Sequence, residues 1–543
     1  MLIGRPLYIN FTQQEGANPD IVRMDQQDID DLIGFLTDSL ARMEACERQG
    51  AVYIDQVSPH YQESARNLLH YLSLRTHDLR PLQERLASLG ISSISHSERY
   101  TRTNVQNVLT LLHLVNGATM EEAKAGGLGL HLGFPRSKQR LQEHTAALFG
   151  PERHAGHTRI MVTLPSEAAE DDTLIHTLVE MGVEILRINC GHDDSTAWKK
   201  MIDRIQAARE RCAHNVLSYM DLAGPKIRTG KVVPRWSSKG KRKDGFIPLQ
   251  EGELIQVWKQ LEWGEPAIYS DEGALVALAR IGLSLPELFD QVSRGDRIWF
   301  DDGKIGGVIE EISPEWWTVR ITMTAPDGAK LRSEKGINLP DSNLALPSLT
   351  EEDRRTLPFI AEHADMVGYS FVQRREDVEA LQQALHYLGR PDLGIILKIE
   401  TRLAFDNLPT LLLTAMKSPK VGVMIARGDL AVEVGWSRIA EVQEEIGWLC
   451  EAAHIPNIWA TQVLENLAKT GLATRAEITD AVAAVRAECA MLNKGPYIVK
   501  AVKTLQKIDD RMDAHQYKKK PYLRPLRVAQ DFLLSLPGPS DVN

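Results

Sequence analysis

The segment RIMVTLPSEAAEDDTLIHTLVEMGVEILRIN, residues 159–189, contains the repeating unit from which the fold class follows. RIMVTL (159–164) and VEILRIN (183–189) are short runs of β-branched and aliphatic residues, which are typical of buried strands. Between them, DTLIHTLVEMG (172–182) has apolar residues three and four positions apart, which predicts an amphipathic helix. A strand, a helix and a second strand in this order predict a βα unit of a parallel sheet.

The same alternation continues along the chain, with one long interruption. The next helix-like segment is STAWKKMIDRIQAARERC (195–212), and the strand-like runs that follow are VLSYMDL (216–222), ADMVGYSFV (364–372), GIILKIE (394–400), KVGVMIA (420–426) and IPNIWAT (455–461). The interval from about Val232 to Lys335 instead contains short strand-like pieces and turns. We interpret it as a β-rich domain inserted between two strands of the parallel sheet.

The first 150 residues have a different pattern. Apolar residues recur three and four positions apart between Gln27 and Arg48, which predicts a helix. Three further helices are predicted, one that carries Tyr61 to Leu72 on one face, one from about Pro81 to Leu89 and one from about Asn104 to Val115. We therefore expect a helical bundle. Its five histidines (His60, His70, His77, His96 and His113) match no ligand spacing typical of a metal site.

Bulk properties exclude several classes of protein. The chain of 543 residues is 43% hydrophobic and 25% charged, as expected for a globular protein of several domains. A net charge of -10 argues against general nucleic-acid binding. Five scattered cysteines without a CxxC pair fit a reducing compartment, and we find neither a signal peptide nor an apolar run long enough for a bilayer. We expect a cytoplasmic protein that binds no nucleic acid and no membrane.

Polar residues fall where the predicted strands end. These positions are Arg187 and Asn189, Asp221, Ser370, Lys398 and Glu400, the segment 427–429 (Arg-Gly-Asp), and Thr461. In a (β/α)8 barrel, reactive groups lie at the carboxyl ends of the strands. Cations, carboxylates and hydroxyl groups at one end of a barrel suit a Mg²⁺-bound anionic substrate.

Eight motifs, in order, resemble the pyruvate kinase family over about residues 160–500. They are LRINCGH (186–192), DLAGPKIRTG (221–230), DDGKIGG (301–307), KGINLPDSNLALPSLTEEDR (335–354), ILKIE (396–400), IARGDLAVE (425–433), ATQVLENL (460–467) and ATRAEITDA (473–481). The resemblance implies an α/β fold, a TIM (β/α)8 barrel with a β lid inserted after its third strand. We therefore divide the chain into an N-terminal helical domain (1–155), the barrel (156–231 and 336–510), an inserted β-barrel lid domain (232–335) and a tail (511–543). We expect no regulatory C-terminal domain.

The resemblance also implies an activity, namely phosphoryl transfer from phosphoenolpyruvate to ADP, giving pyruvate and ATP in glycolysis. The implied catalytic and substrate-binding residues are Arg187, Ser370, Lys398, Gly428, Asp429 and Thr461. In this scheme Lys398 stabilises the phosphoryl group in flight and Arg187 clamps phosphate, with Ser370 as a further donor. Amides around Gly428 bind the carboxylate, and Thr461 supports protonation of the enolate. Glu400 and Asp429 hold Mg²⁺ or Mn²⁺.

On the nucleotide side, the resemblance implies roles for Asn189, His192, Arg228 and, from the lid, Asp302. The monovalent-cation region of the family matches Asn189, Asp221, Leu222 and Lys226. Potassium-dependent members have the loop Gly-Pro-Glu-Ile-Arg, whereas this chain has Gly-Pro-Lys-Ile-Arg at 224–228. Because an ammonium group can supply the charge of a bound K⁺, we expect no potassium requirement. Gly191 also stands where the family usually has a serine ligand.

Two departures leave other functions open. The turn LPSEAAED (164–171) is shorter than the family's first loop. CAMLNKGPYIVKAV (489–502), which we place after the seventh strand, lacks the family's Ser-Gly-Glu-Thr loop. That loop contributes to the barrel end and to subunit contacts, so a homo-oligomer is open too. The alternatives are a lyase or aldolase that acts on a pyruvate enolate, and a non-catalytic relative that senses metabolites.

Overall fold

Eight parallel strands close into a barrel at the centre of the computed structural model, which describes residues 26–125, 132–152, 157–212, 216–236, 242–513, 515–517 and 520–521. The strands are β1 (Arg159–Thr163), β2 (Ile185–Asn189), β3 (Leu217–Asp221), β4 (Met366–Tyr369), β5 (Gly394–Ile399), β6 (Val421–Ala426), β7 (Asn457–Ala460) and β8 (Cys489–Leu492). Their order around the barrel follows the chain, and β8 pairs with β1. The predicted fold class, a TIM barrel, is confirmed.

Two local predictions were wrong. Arg427, Gly428 and Asp429 do not end a strand, because β6 stops at Ala426 and a helix begins at Arg427 with no intervening loop. The segment 489–502, which we had placed after the seventh strand, contains the eighth strand itself. The shortened loop therefore follows β8, beside the point where β1 closes the barrel.

Eighteen α-helices lie in the described part of the chain, and none of them is long and apolar enough to cross a membrane. They are α1 (Gln26–Gln49), α2 (Ala51–Gln56), α3 (Gln62–Leu74), α4 (Arg80–Ser88), α5 (Thr101–Val115), α6 (Met120–Ala125), α7 (Phe134–Phe149), α8 (Thr173–Glu180), α9 (Ser195–Arg211), α10 (Glu351–His363), α11 (Arg375–Tyr387), α12 (Arg402–Asp406), α13 (Leu408–Ala415), α14 (Arg427–Val434), α15 (Ile439–Ala452), α16 (Glu465–Thr470), α17 (Arg475–Ala484) and α18 (Ile498–Asp513). Short 3-10 helices occupy Pro59–Tyr61, Glu98–Tyr100, Ser166–Ala169 and Pro286–Gln291. The four predicted N-terminal helices correspond to α1, α3, α4 and α5, whereas α2, α6 and α7 were not predicted.

A β-rich region, here called the lid, follows β3 and returns to the barrel at α10. Its strands are Lys231–Val232, Arg235–Trp236, Arg242–Lys243, Ile247–Leu249, Leu254–Trp258, Trp263–Gly264, Ile268–Tyr269, Leu275–Ala277, Ala279–Gly282, Arg297–Phe300, Ile305–Ile312, Trp316–Met323, Ala329–Leu331 and Ile337–Asn338. Two short strands, Gln516–Tyr517 and Lys520–Pro521, lie near the end of the described residues. The largest sheet of the lid has six strands and is open, whereas we had expected a small barrel. A separate hydrophobic core, which includes Trp317 and Phe289, holds the lid together.

Helix α7 closes the amino end of the barrel. Its last residues, Leu148 and Phe149, are buried in the same cluster as side chains from the barrel interior, among them Met161 and Met424. Leu148 and Phe149 form a wedge at this end of the barrel. Gly394 at the start of β5 leaves space for the wedge, because a Cβ there would lie 2.7 Å from Leu148 Cδ1. Gly422 of β6 does the same, at 2.6 Å from Leu148 Cδ2. The opposite, carboxyl end of the barrel is left for the candidate site.

Buried polar contacts join the helical region to the barrel. Asn67 Nδ2 on α3 donates to the carbonyl oxygens of Glu98, at 2.7 Å, and of Ala452 on α15, at 2.8 Å. His454 Nε2 lies 2.8 Å from the carbonyl oxygen of Arg99, which can only accept, so this nitrogen carries the proton. Burial lowers the pKa of His454 to about 3. The imidazole is therefore a neutral part of the interface.

Candidate active site

Arg187, Asp221 and Lys398 meet at the carboxyl end of the barrel. Arg187 Nε donates to Asp221 Oδ2 at 3.1 Å, and Lys398 Nζ lies 3.3 Å from the same oxygen. All three side chains are buried. Burial by itself would raise the pKa of Asp221, but the charges of Lys398 and Arg187 outweigh it and lower the pKa. The carboxylate is therefore ionised, and it holds two cations at the centre of the strand ends.

A second carboxylate and a hydroxyl group complete the surroundings of Lys398. Its Nζ donates to Ser370 Oγ at 2.7 Å and lies 3.1 Å from Glu400 Oε1. Burial opposes the charge of Lys398, yet Asp221 and Glu400 raise its pKa. The pKa of Glu400 is also raised, mainly by its burial. Lys398 is thus a positioned ammonium group, held by residues that end β3 or directly follow β4 and β5.

Lys226 neutralises the other carboxylate of the site. Its Nζ lies 3.0 and 3.1 Å from the two carboxylate oxygens of Asp429, in the first turn of α14. It also lies 4.0 Å from Asp302 Oδ1, which belongs to the lid. The negative charge of Asp429 contributes to the raised pKa of Glu400, so the two carboxylates lie within electrostatic range of each other. Among the described residues no group of three or more metal-ligating side chains is found.

Gly428 and Thr461 lie side by side at the start of α14. A Cβ on Gly428 would come within 3.9 Å of Thr461 Oγ1 and would meet no closer atom. The first turn of a helix has amide groups without intrahelical partners and carries a partial positive charge. Thr461 Oγ1 is buried and has no hydrogen-bond partner within the described ranges. These amides and this hydroxyl can therefore donate hydrogen bonds to an anionic, partly apolar ligand.

A cavity of about 310 Å³ opens beside the pair of Lys226 and Asp429. It lies between α14 and the segment that returns from the lid to the barrel. Glu433 lines it and accepts a hydrogen bond from Asn338 Nδ2 at 3.2 Å. Burial raises the pKa of Glu433 to about 7. The cavity thus joins the barrel end to the lid.

The remaining predicted residues lie at the edge of this cluster. Asn189 Oδ1 accepts from the amide of Gly191 at 3.1 Å, and the carbonyl oxygen of Leu222 accepts from Ser370 Oγ at 2.6 Å. His192 is exposed, and partial burial together with the nearby charge of Lys494 lowers its pKa. Arg228 Nη1 donates to the carbonyl oxygen of Glu334 at 3.1 Å, and Asp302 is exposed with a φ of 56°. The structure thus brings together Arg187, Asp221, Ser370, Lys398 and Glu400, with Lys226 and Asp429 beside them.

Two contributors were missed by sequence reasoning. Tyr219 OH donates to Asp221 Oδ1 at 3.1 Å, and Thr163 Oγ1 accepts from Arg187 Nη1 at 3.0 Å. Tyr219 stands two residues before Asp221 on β3, so the period of two along a strand could have placed both on one face. Gly368 leaves the space for the tyrosine, because a Cβ there would lie 2.0 Å from its hydroxyl oxygen.

Comparison with known proteins gives the family. The model of the pyruvate kinase barrel domain matches residues 155–502. Pyruvate kinase of Staphylococcus saprophyticus is 30% identical over 370 residues, which cover 67% of this chain and 58% of the relative. Pyruvate kinase of Thermotoga maritima is 30% identical over 358 residues, which cover 65% of this chain and 70% of the relative.

The chain spans somewhat more than half the length of the first relatives, with 58% for Staphylococcus saprophyticus and 56% for Geobacillus stearothermophilus. Among solved structures, a pyruvate kinase from Cryptosporidium parvum is similar, with a TM-score of 0.55 and 24% identity. The match covers 68% of this chain and 70% of that one, and at this identity it supports the fold alone. Because the family model covers more than half of the chain, this chain belongs to the pyruvate kinase family.

Proposed function

We propose that the protein is a pyruvate kinase, which transfers the phosphoryl group of phosphoenolpyruvate to ADP. The observation that carries the proposal is Lys398, a buried ammonium group within 3.3 Å of Asp221, Glu400 and Ser370 at the barrel's carboxyl end. In the reaction the bond between phosphorus and the enol oxygen breaks, and a bond to an ADP phosphate oxygen forms. The enolate left behind takes up a proton at its methylene carbon, which gives pyruvate. A fixed cation stabilises the charge on the transferring oxygens.

Binding of phosphoenolpyruvate follows from the same groups. Ser370 contacts Lys398 directly, Arg187 shares the partner Asp221 with it, and both residues offer donors to the phosphate. The open amides in the first turn of α14, around Gly428, would take the carboxylate. Thr461 Oγ1, next to Gly428, then faces the reacting part of the substrate and supports delivery of the proton through a water molecule.

The family generally requires a divalent metal ion, and the donors of this site fit one. Carboxylate oxygens are the preferred ligands of Mg²⁺, and the same oxygens suit Mn²⁺. Glu400 and Asp429 would hold the ion, which supplies charge neutralisation at substrate oxygens when bound. In the structure, the ammonium group of Lys226 compensates the negative charge of Asp429, and it also fixes the position of this carboxylate.

The nucleotide would lie on the side of β2 and the lid. Asn189 ends β2 and His192 follows it, Arg228 lies just before the first strand of the lid, and Asp302 lies on a lid turn with its Oδ1 4.0 Å from Lys226 Nζ. We assign these four residues to the binding of ADP and ATP. We assign Asp221, Leu222, Asn189 and Lys226 to the region that matches the monovalent-cation region of potassium-dependent members, where Lys226 would supply the charge of the ion.

The proposal assigns a role to each segment of the chain except the tail. Residues 156–231 and 336–510 would form the catalytic barrel, 232–335 the lid, and 1–155 a helical domain that closes the amino end of the barrel. The tail from 511 has no assigned role, and most of it lies outside the described residues. A cytoplasmic location suits the proposed glycolytic substrates, and a homo-oligomer is compatible with the proposal.

One assay tests the function against its alternatives. Purified protein is incubated with phosphoenolpyruvate, ADP and Mg²⁺, and both pyruvate and ATP are followed. Equal amounts of the two products, dependent on ADP, support the proposal. Pyruvate formed from a 4-hydroxy-2-oxo acid without ADP would instead identify a lyase, and no turnover of either substrate would favour the metabolite-sensing relative.

A further inference from the structure

Arg427 connects the first turn of α14 to the end of β7. Its Nε donates to the carbonyl oxygen of Ala460 at 3.1 Å, and its Nη2 donates to that of Thr461 at 2.5 Å. The guanidinium carbon lies 5.0 Å from the centre of the Trp459 ring. One buried side chain from the first residue of α14 thus contacts three consecutive residues at the end of β7 and just after it.

The segment that Arg427 holds is conformationally unusual. Thr461, Gln462 and Leu464 have φ values of 64°, 58° and 47°, which is the left-handed region. A β-branched or bulky residue pays a penalty in this region and persists there only when its surroundings fix it. Carbonyl oxygens held by a guanidinium group fix the peptide planes on both sides of Thr461.

Asp480 in turn fixes the guanidinium group. Its carboxylate oxygens accept from Arg427 Nη1 at 2.6 Å and from Nη2 at 2.9 Å, a bidentate arrangement that defines the plane of the group. Asp480 lies on α17, whose start is locked by a capping box between Thr474 and Glu477. Four donor directions of one planar group are therefore used, and a lysine could not reproduce them.

We propose that Arg427 is a positioning residue for the proton-transfer step, which it serves by setting the place of the Thr461 hydroxyl. The inference rests on the proposed function. Thr461 Oγ1 is buried without a hydrogen-bond partner in the described part of the chain and lies beside Gly428, where the substrate carboxylate is expected. The position of this oxygen is determined by the left-handed backbone, and hence by Arg427. The residue itself does not touch the reacting atoms.

The test separates proton transfer from phosphoryl transfer. In D₂O with pyruvate, ATP and Mg²⁺, NMR follows deuterium entry into the methyl group, while ATP formation from phosphoenolpyruvate and ADP is measured in parallel. A positioned proton donor contributes about 10²–10⁴-fold to a rate. We therefore expect Arg427→Gln to slow methyl exchange at least about tenfold, with a smaller loss of ATP formation and an unchanged KM for phosphoenolpyruvate. Arg427→Lys should recover little.

Further variants keep the outcome interpretable. Asp480→Asn retains a hydrogen-bond partner for Arg427 and should show a weaker loss of methyl exchange with little loss of ATP formation. Low concentrations of guanidinium chloride should restore methyl exchange to the Arg427→Ala variant. Arg438→Gln, which removes an exposed arginine paired with Glu441, is the matched control. Wild-type protein that forms no pyruvate would refute the proposed function itself. Active wild type with Arg427 variants that lose exchange and ATP formation equally, or lose neither, would overturn the positioning role.

Discussion

The charge state of Lys398 is set by burial and by two neighbouring carboxylates, which act in opposite directions. Its burial disfavours charge, whereas Asp221 and Glu400 favour it, and the pKa is raised as a result. The surroundings of Lys398 therefore favour its charged ammonium form. Its position among Asp221, Glu400 and Ser370 is fixed before any substrate arrives, and such preorganisation is what makes an electrostatic contact catalytic.

Replacing this ammonium group should affect turnover far more than binding. We expect Lys398→Met to lower kcat by about 10²–10³, because it removes charge stabilisation that matters most in the transition state. Steady-state kinetics with phosphoenolpyruvate should show KM nearly unchanged. Lys417→Met, which removes a lysine paired with Glu379 away from the site, is the control and should leave kcat unaltered. A Lys398→Met enzyme with wild-type turnover would contradict the role of Lys398.

Lys226 should make the enzyme independent of potassium. Its ammonium group contacts both oxygens of Asp429, so a positive charge is already in place. We expect full activity in a K⁺-free buffer with Mg²⁺, and at most a few-fold gain when KCl replaces tetramethylammonium chloride at equal ionic strength. Lys226→Glu should lower the basal rate, and K⁺ should rescue it poorly because Gly191 offers no side-chain ligand. Strong activation of the wild type by K⁺ would show that Lys226 does not replace the ion.

At the scale of elements, the contact between α7 and the barrel can be tested through one glycine. Gly394→Ala places a methyl group 2.7 Å from Leu148 Cδ1 and 2.9 Å from Met366 Cγ. We expect a loss of about 1–3 kcal/mol in the free energy of unfolding, typical of overpacking. Gly34→Ala on α1 meets no atom within 4 Å and should be neutral or stabilising. Urea unfolding of the wild type and of both variants measures the change. If Gly394→Ala is as stable as Gly34→Ala, Leu148 moves aside without a cost in free energy.

The interface between the helical region and the barrel should weaken in acid. The folded-state pKa of His454 is about 3 against an unfolded value of 6.5, so the unfolded chain binds the proton more tightly. The stability due to neutral His454 is present above pH 6.5 and is lost progressively between pH 6.5 and 3. At pH 5 the loss is about 2 kcal/mol. Asp509, whose pKa is raised to about 6, acts in the opposite direction.

Because several groups titrate together, the measurement compares two proteins. Urea unfolding of the wild type and of His454→Gln is followed at pH 7, 6 and 5. The variant should be less stable at pH 7, and the difference between the two proteins should shrink as the pH falls. His386→Gln, at an exposed position on α11, should keep a constant difference. A constant difference for His454→Gln as well would show that His454 does not resist protonation.

The sequence predicted the barrel well, because its period is repeated in every unit. Strand after strand, an apolar run ends in a polar residue that the structure places at the carboxyl end, as with Arg187 and Lys398. The start of α14 was misjudged because β6 runs into it without a loop residue, so no turn signal separates the two. The α7 wedge was missed because its contact with Gly394 depends on two segments far apart in sequence. Such partners follow from packing, which no local pattern encodes.

At the scale of the whole molecule, the described residues form four hydrophobic clusters, one of which is the barrel-interior cluster that contains Leu148 and Phe149 of α7. The lid has its own core around Trp317, and the helices α1, α4 and α5 share another around Leu36. The main core extends from the barrel helices into α3, where Leu68 and Leu69 belong to it. Helix α3 therefore shares the main core with the barrel, as α2 does, and α7 packs against the barrel interior. The cluster of α1, α4 and α5 is attached to α3 through Leu74. Parts that share few apolar contacts open separately in hydrogen exchange.

This attachment should depend on Asn67. Its amide donates to Glu98 O and Ala452 O, and its Oδ1 accepts from the amide of Thr101 at 2.9 Å. Asn67→Ala removes a hydrogen-bond partner from three backbone groups, at a cost of about 1–3 kcal/mol for each that is left buried and unpaired. We expect hydrogen exchange measured by mass spectrometry to speed up in α5 and in the segment around Glu98.

The barrel strands should keep their protection in Asn67→Ala, because the main core remains intact without this amide. Asn116→Ala, which truncates an asparagine that donates to Asp30 at 3.1 Å near the surface, is the matched control and should leave exchange in both regions unaltered. If Asn67→Ala accelerates exchange in β5 and β6 as much as in α5, the helical region and the barrel unfold as one unit. The helical region and the barrel unfold separately only if the faster exchange is confined to the helical region and does not extend beyond α3 into the barrel strands.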